Sequence, residues 1–215
     1  RNHRAAPRIQ ELVGQLVGGG HVAPLQLGDT LPNLQAEQVG SDAIHWLRGF
    51  ALHLERDRVA PPPRSGGRSA HDALPALRDV YAGKARTTTF AHLLANVDPL
   101  LYLPADFAAP LPVNVSGRTR LVGSSVRLLE ELERLRAPLG VPASALERLE
   151  QVEATGRCEV VDDALDESAG ELPGVSSPLG YDRWNDPRCG DLSMWLALHW
   201  LARQSVERQL AIVFA

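Results

Sequence analysis

Pro104 cuts short the apolar run Leu100–Leu101–Tyr102–Leu103, and that run constrains the fold more than any other stretch. It is too short for a helix and too apolar for a loop, so it reads as a buried strand. The block around it, Arg86–Glu133, supplies the other decisive signals. Val113, Val115, Leu121 and Val122 are strand-like positions, broken by a Ser116–Gly117 turn signal. Gly123–Ser124–Ser125 then opens a helix. A serine hydroxyl there can accept from a first-turn N–H, which is worth roughly 1 kcal/mol. Leu128, Leu132 and Leu135, with Leu129, form an apolar stripe. The same spacing sets Glu130, Glu131, Glu133 and Arg134 on the other side, and Pro138 ends the helix.

The rest of the chain supplies partners for that block. Ile9, Leu12, Val13, Leu16 and Val17 predict an amphipathic helix over Pro7–Val17, stopped by Gly18–Gly20. The three glycines follow a helix, so they read as a flexible cap and not as a phosphate cradle. A second helix is expected over Asp42–Arg56, with Ile44, Leu47, Ala51 and Leu54 inward and Trp46, Phe50 and His53 on an adjoining face. Residues 57–69, which include Pro61–Pro63 and Gly66–Gly67, read as a mobile linker. Ala73–Ala82 is a third helix, and Thr87–Val97 reads as a short helix entered from threonines. Ser144 and Glu147 have capping-box spacing at the start of a helix over Ala143–Ala154. Cys158–Val161 reads as a strand. Asp191–Arg208 is a helix whose inward stripe is Leu192, Trp195, Leu196, His199, Ala202 and Val206. Leu210–Phe214 closes the chain as an apolar strand, expected inside the sheet with both faces covered. The fold class is α/β (mixed α+β), a single domain of roughly five to seven helices around a small central sheet.

Composition excludes several classes. The chain is 44% hydrophobic and 22% charged, as expected of a globular protein. No apolar run approaches the ~18 residues of a membrane span, and no basic-then-apolar leader is visible. Cytoplasm is the expected compartment. Only Lys84 among the 22 basic residues is a lysine, which reads as the coding bias of a high-GC bacterial genome. A net charge of −4 disfavours a nucleic-acid partner, because phosphate contacts need a basic face. Cys158 and Cys189 read as idle thiols. Without nearby histidines they make no zinc site, so neither metal nor cofactor is expected.

Chemistry is thinly signalled. His45 and His53 lie eight residues apart, whereas a helical metal pair usually needs i, i+4 spacing. His199, between Trp195 and Trp200, reads as a satisfied core histidine. Ser124 and Ser125 follow a glycine but lack the G-x-S-x-G context of a nucleophile. The one acid–base constellation is His92, Asp98, Tyr102 and Asp106, close in sequence beside the expected central strand.

Asp162–Gly190 is a 29-residue stretch without periodicity. Loops that long are often functional. From Arg157 to Asp191 there are nine acids against three arginines, so the acidity of the chain is local. Asp162, Asp163, Asp166 and Glu167, with Tyr181 and Trp184, are the expected partner-binding residues, facing another protein with a basic surface.

The segments His92–Leu94 with Asp98, Tyr102–Pro104 with Asp106–Phe107, and Gly123–Leu132 resemble a group of uncharacterised bacterial proteins. That group shares the patterns HLL…D, YxPxDF and GSSxxLLxEL. Between the first aspartate and the tyrosine it carries small polar residues and a glycine, where this chain has Pro99, Leu100 and Leu101. The resemblance implies no activity. The functional reading from sequence is a non-catalytic bacterial binding protein, immunity- or antitoxin-like, acting through its acidic loop. The alternatives are a small-molecule enzyme with a pocket near His92, Asp98 and Asp106, and a ligand sensor or assembly subunit. Oligomeric state is left open.

Overall fold

The computed structural model describes residues 13–19, 41–59, 75–81, 88–95, 101–115, 118–141, 143, 145–147 and 189–213. These form a mixed α+β fold with a small sheet. In chain order its main elements are α1 (Ser41–Asp57), α2 (Pro75–Tyr81), β1 (Leu101–Leu103), β2 (Leu111–Val115), β3 (Arg118–Ser124), α3 (Ser125–Leu139), α4 (Cys189–Arg208) and β4 (Ile212–Val213). A helical turn also covers residues 13–18. The expected strand at Cys158–Val161, the Ser144 cap, most of the linker and all of the acidic loop up to position 188 lie outside the described residues.

The chain divides into two compact units. The first comprises Arg1–Thr30, Phe90–Glu131 and Leu201–Ala215, and the second Leu31–Thr89 and Leu132–Trp200.

The first unit holds the whole sheet, in the order β2-β3-β1-β4. β1 runs parallel to β3, with Tyr102 opposite Gly123, and antiparallel to β4. The strand Leu101–Leu103 is therefore interior, as the composition of that run predicts. Among the described residues the C-terminal strand β4 is two residues long and stands at the end of the strand order, paired with β1. β2 and β3 form an antiparallel ladder from Leu111↔Val122 to Val115↔Arg118, with two residues between the closing pair. A two-residue connection makes that pair, and every second pair after it, hydrogen-bonded. Pro112 and Asn114 consequently turn their backbone groups away from β3, toward the side of β2 on which no described strand pairs. Proline is tolerated there because no ladder bond needs its missing N–H. Val13, Leu16, Leu103, Phe107, Val113 and Val122 form the apolar core of this unit.

In the second unit α1 packs against α2. Ala43, Ile44, Trp46, Leu47, Phe50, Ala51 and Leu52 are buried along α1, a wider face than the predicted stripe, while Leu54 is only partly covered. α4 departs further from its prediction. Leu192, Trp195, Leu196 and Ala202 are buried as expected, but so are Met194, Ala197, Leu198 and Trp200. A helix apolar all round is a buried helix, and a single inward stripe understates it.

Helix ends follow local rules. Ser124 is the N-cap of α3, its hydroxyl accepting from the Arg127 N–H at 3.1 Å. At the other end Gly140 takes a φ of 71°. Gly140 N–H reaches the Ala137 carbonyl at 3.0 Å and Val141 N–H the Arg136 carbonyl at 3.1 Å, the paired bonds of a Schellman close. α4 ends the same way without a glycine: Gln209 has a φ of 55°, and Leu210 N–H meets the Ser205 carbonyl at 3.0 Å. A side chain at that φ is strained. Gln209→Gly is therefore expected to stabilise the protein by about 0.5–1 kcal/mol, read as a small rise in Tm. An unchanged or lower Tm would show that the 2.9 Å bond from Gln209 Nε2 to the Val206 carbonyl outweighs the strain.

Candidate functional site

His92 is the node of the first unit. The segment around it is a single hydrogen-bonded turn, with Leu94 N–H on the Phe90 carbonyl at 3.1 Å, and not the short helix its composition suggests. One turn suffices because a side chain of α3 replaces further helical bonds. The Glu131 carboxylate accepts from the His92 N–H at 3.0 Å and from the Leu93 N–H at 2.7 Å. Glu131 is 4% exposed, so its placement on the solvent side of α3 is corrected. The reason lies in the pairing: two backbone donors that would otherwise be stranded in the interior satisfy the charge.

The imidazole of His92 is also engaged. Its Nδ1 accepts from the Ser124 N–H at 2.9 Å, and its Nε2 lies 3.4 Å from the Ala108 carbonyl. That pattern fixes the neutral ring with the proton on Nε2. Phe107 packs edge-on at 5.6 Å. The Tyr102 hydroxyl donates to the His92 carbonyl at 3.1 Å. Burial holds the His92 pKa below the usual imidazole value, the Ala108 carbonyl opposes this, and the Arg127 guanidinium adds to it.

Of the predicted acid–base set, the fold joins His92 to Tyr102 through a backbone carbonyl, not ring to ring. Asp106 is exposed and held by Arg127, with contacts of 2.6 and 3.0 Å. Asp98 lies outside the described residues. Ser124 Oγ donates to the Ala105 carbonyl at 2.5 Å while it caps α3. Ser125 pairs with Ser205 at 2.6 Å, and both are buried. These groups are occupied in holding the turn, the sheet and the start of α3 together.

The second unit shows the same habit. His199 Nε2 meets Glu133 Oε1 at 2.6 Å, and its ring stacks on Trp195 at 4.6 Å. Trp195 Nε1–H donates to the Leu132 carbonyl at 2.8 Å. The Glu55 carboxylate accepts from the Thr89 N–H at 2.6 Å and its hydroxyl at 2.7 Å. Burial pushes the Glu55 pKa up, but these bonds outweigh it and the net shift is downward. Arg134 donates to the Thr89 carbonyl. His53 contacts Asp57 at 3.2 Å, a link within one helix. Among the described residues no group of three or more His, Cys, Asp or Glu is arranged to hold a metal ion, and no helix is long and apolar enough to cross a membrane.

Charge is the remaining clue. The described residues carry eleven acids and eleven arginines, so they are balanced. Several of those acids are tied down: Asp106 and Glu130 by Arg127, Asp57 by Arg56, Glu133 by Arg136, and Glu207 by Arg203. The net negative charge of the chain comes from elsewhere, chiefly the Arg157–Asp191 stretch. Asp162, Asp163, Asp166, Glu167, Tyr181 and Trp184, the expected partner-binding residues, fall outside the described part of it.

The chain thus combines a charge-balanced set of described residues with a locally acidic segment. The chain belongs to the family described as "Putative DNA-mimic protein", which it matches over residues 7–214. No curated protein and no solved structure matches it. Membership bears on the partner: it points to another protein, one that binds DNA. It corrects the immunity- or antitoxin-like reading, and it displaces the acid–base enzyme and the sensor or assembly subunit.

Proposed function

We propose that this chain binds a DNA-binding protein in the place of DNA. The observation that carries the proposal is the family match over residues 7–214. Charge distribution supports it. Duplex DNA presents one negative charge per ~1.7 Å of axis, and proteins that bind it gain affinity by neutralising those charges. A mimic needs carboxylates that its own cations do not neutralise. Nine acids against three arginines between Arg157 and Asp191 meet that need, whereas the remainder of the chain, slightly basic in net charge, does not. We assign the phosphate-like role to Asp162, Asp163, Asp166 and Glu167, with Tyr181 and Trp184 supplying flat apolar contacts of the kind bases supply. Such a partner works beside DNA, so the site of action is the cytoplasm.

The test is competition. The protein is immobilised, its partner is captured from the source lysate, and duplex DNA is titrated in. DNA should release the partner, and added salt should weaken capture steeply, as it weakens DNA binding itself. Reversing Asp162, Asp163, Asp166 and Glu167 to lysine should abolish capture with Tm unchanged. Capture that duplex DNA does not displace would overturn the proposal. Capture that DNA displaces but the reversal leaves intact would move the mimic surface elsewhere in the chain.

A further inference from the structure

We propose that His92 is an acid-labile catch: proton uptake at its Nδ1 frees the 88–95 turn from the start of α3 and opens the first unit locally. The geometry makes the ring intolerant of a second proton. Nδ1 lies 2.9 Å from the Ser124 nitrogen and accepts that group's hydrogen. A proton on Nδ1 would set two N–H groups head to head, turning a hydrogen bond into a repulsion. The new charge would also sit at the positive, N-terminal end of α3. His92 is 2% exposed, so water cannot compensate without the turn moving.

The charged and titratable neighbours do not rescue the imidazolium. From α3, Arg127 repels it. Asp106, after β1, attracts it, but that carboxylate is already held by both arms of the Arg127 guanidinium. Glu131, also from α3, directs its oxygens to the His92 and Leu93 backbone N–H groups. Tyr102, from β1, donates its hydroxyl to the His92 carbonyl. With the folded pKa below the ordinary imidazole value of 6.5, the neutral ring's contribution to stability is complete above that value and is lost as pH falls through the folded pKa. The same residue that fastens the turn to β3 and α3 thus reports acidification. This inference concerns local opening and does not depend on the identity of the partner.

Ring nitrogen NMR of the full chain, with amide exchange followed from about pH 7.5 to about pH 5, tests it. His92 should titrate below 6.5, and its neutral form should carry the proton on Nε2. Protection of the His92, Leu93 and Ser124 amides, corrected for intrinsic exchange, should fall about tenfold or more, while α4 amides hold. In His92→Asn the carboxamide oxygen takes the place of Nδ1 but cannot titrate, so protection should become flat with pH. A wild-type His92 that titrates at or above 6.5 overturns the catch, whether or not the variant folds. So does a variant that loses protection with pH as the wild type does.

Discussion

Gly123→Ala should lower Tm by roughly 6–12 °C, a loss of about 3 kcal/mol. Gly123 sits in β3 directly opposite Tyr102 of the parallel neighbour β1. A Cβ built at position 123 would lie 2.3 Å from Cδ1 and 2.4 Å from Cε1 of the Tyr102 ring. Those atoms cannot swing aside cheaply. The tyrosine is 1% exposed, and its hydroxyl is anchored on the His92 carbonyl. The ring fills the space that the missing side chain leaves, so an alanine must force β1 and β3 apart or expel the ring. A double-mutant cycle with Tyr102→Leu makes the cause explicit. If the collision is the mechanism, Gly123→Ala should cost much less in the Tyr102→Leu background than in the wild type. Equal costs in both would place the effect in backbone conformation instead.

Glu131→Ala should destabilise the protein by about 3 kcal/mol and remove amide protection at His92 and Leu93 first. The substitution leaves two interior N–H groups without their acceptor, and each stranded donor costs about 1–3 kcal/mol. Part of that loss is offset because the charge no longer has to be buried. Glu131→Gln separates the two effects. Its oxygen can satisfy one N–H while its amide group faces the other, so an intermediate loss is expected. A variant as stable as the wild type, with intact protection at residues 92 and 93, would show that the 88–95 turn is held by the His92–Ser124 bond alone.

Much of this architecture could be read from residue order. The run ended by Pro104 became an interior strand, and Ser124 became a helix cap, because both signals are local. The limits of α1, α2 and α3 agree with their predicted ends to within a residue or two at most positions. What could not be read depends on distant neighbours. The 88–95 segment gave conflicting propensities because neither decides its conformation; a carboxylate some forty positions away does. Glu131 was itself legible in hindsight. It lies three residues after Leu128 and four before Leu135, on the apolar face, and only its charge argued for the outside. The candidate catalytic set failed for a related reason. Sequence proximity put His92 near Tyr102, but the contact runs through backbone. The acidic stretch was visible as composition, but composition does not distinguish one basic partner from another. Family membership is information of another kind, which composition does not carry.

Pro112 has a consequence for assembly. Among the described strands β2 stands at the end of the sheet, and there Pro112 offers a ring where a strand joining the sheet would look for a donor, leaving Asn114 to supply the nearby N–H. Two copies meeting edge to edge would be related by a two-fold axis, and a two-fold axis duplicates every defect. One proline in the sequence therefore denies a symmetric pair two bonds. Homotypic pairing through β2 is therefore penalised twice by a single residue.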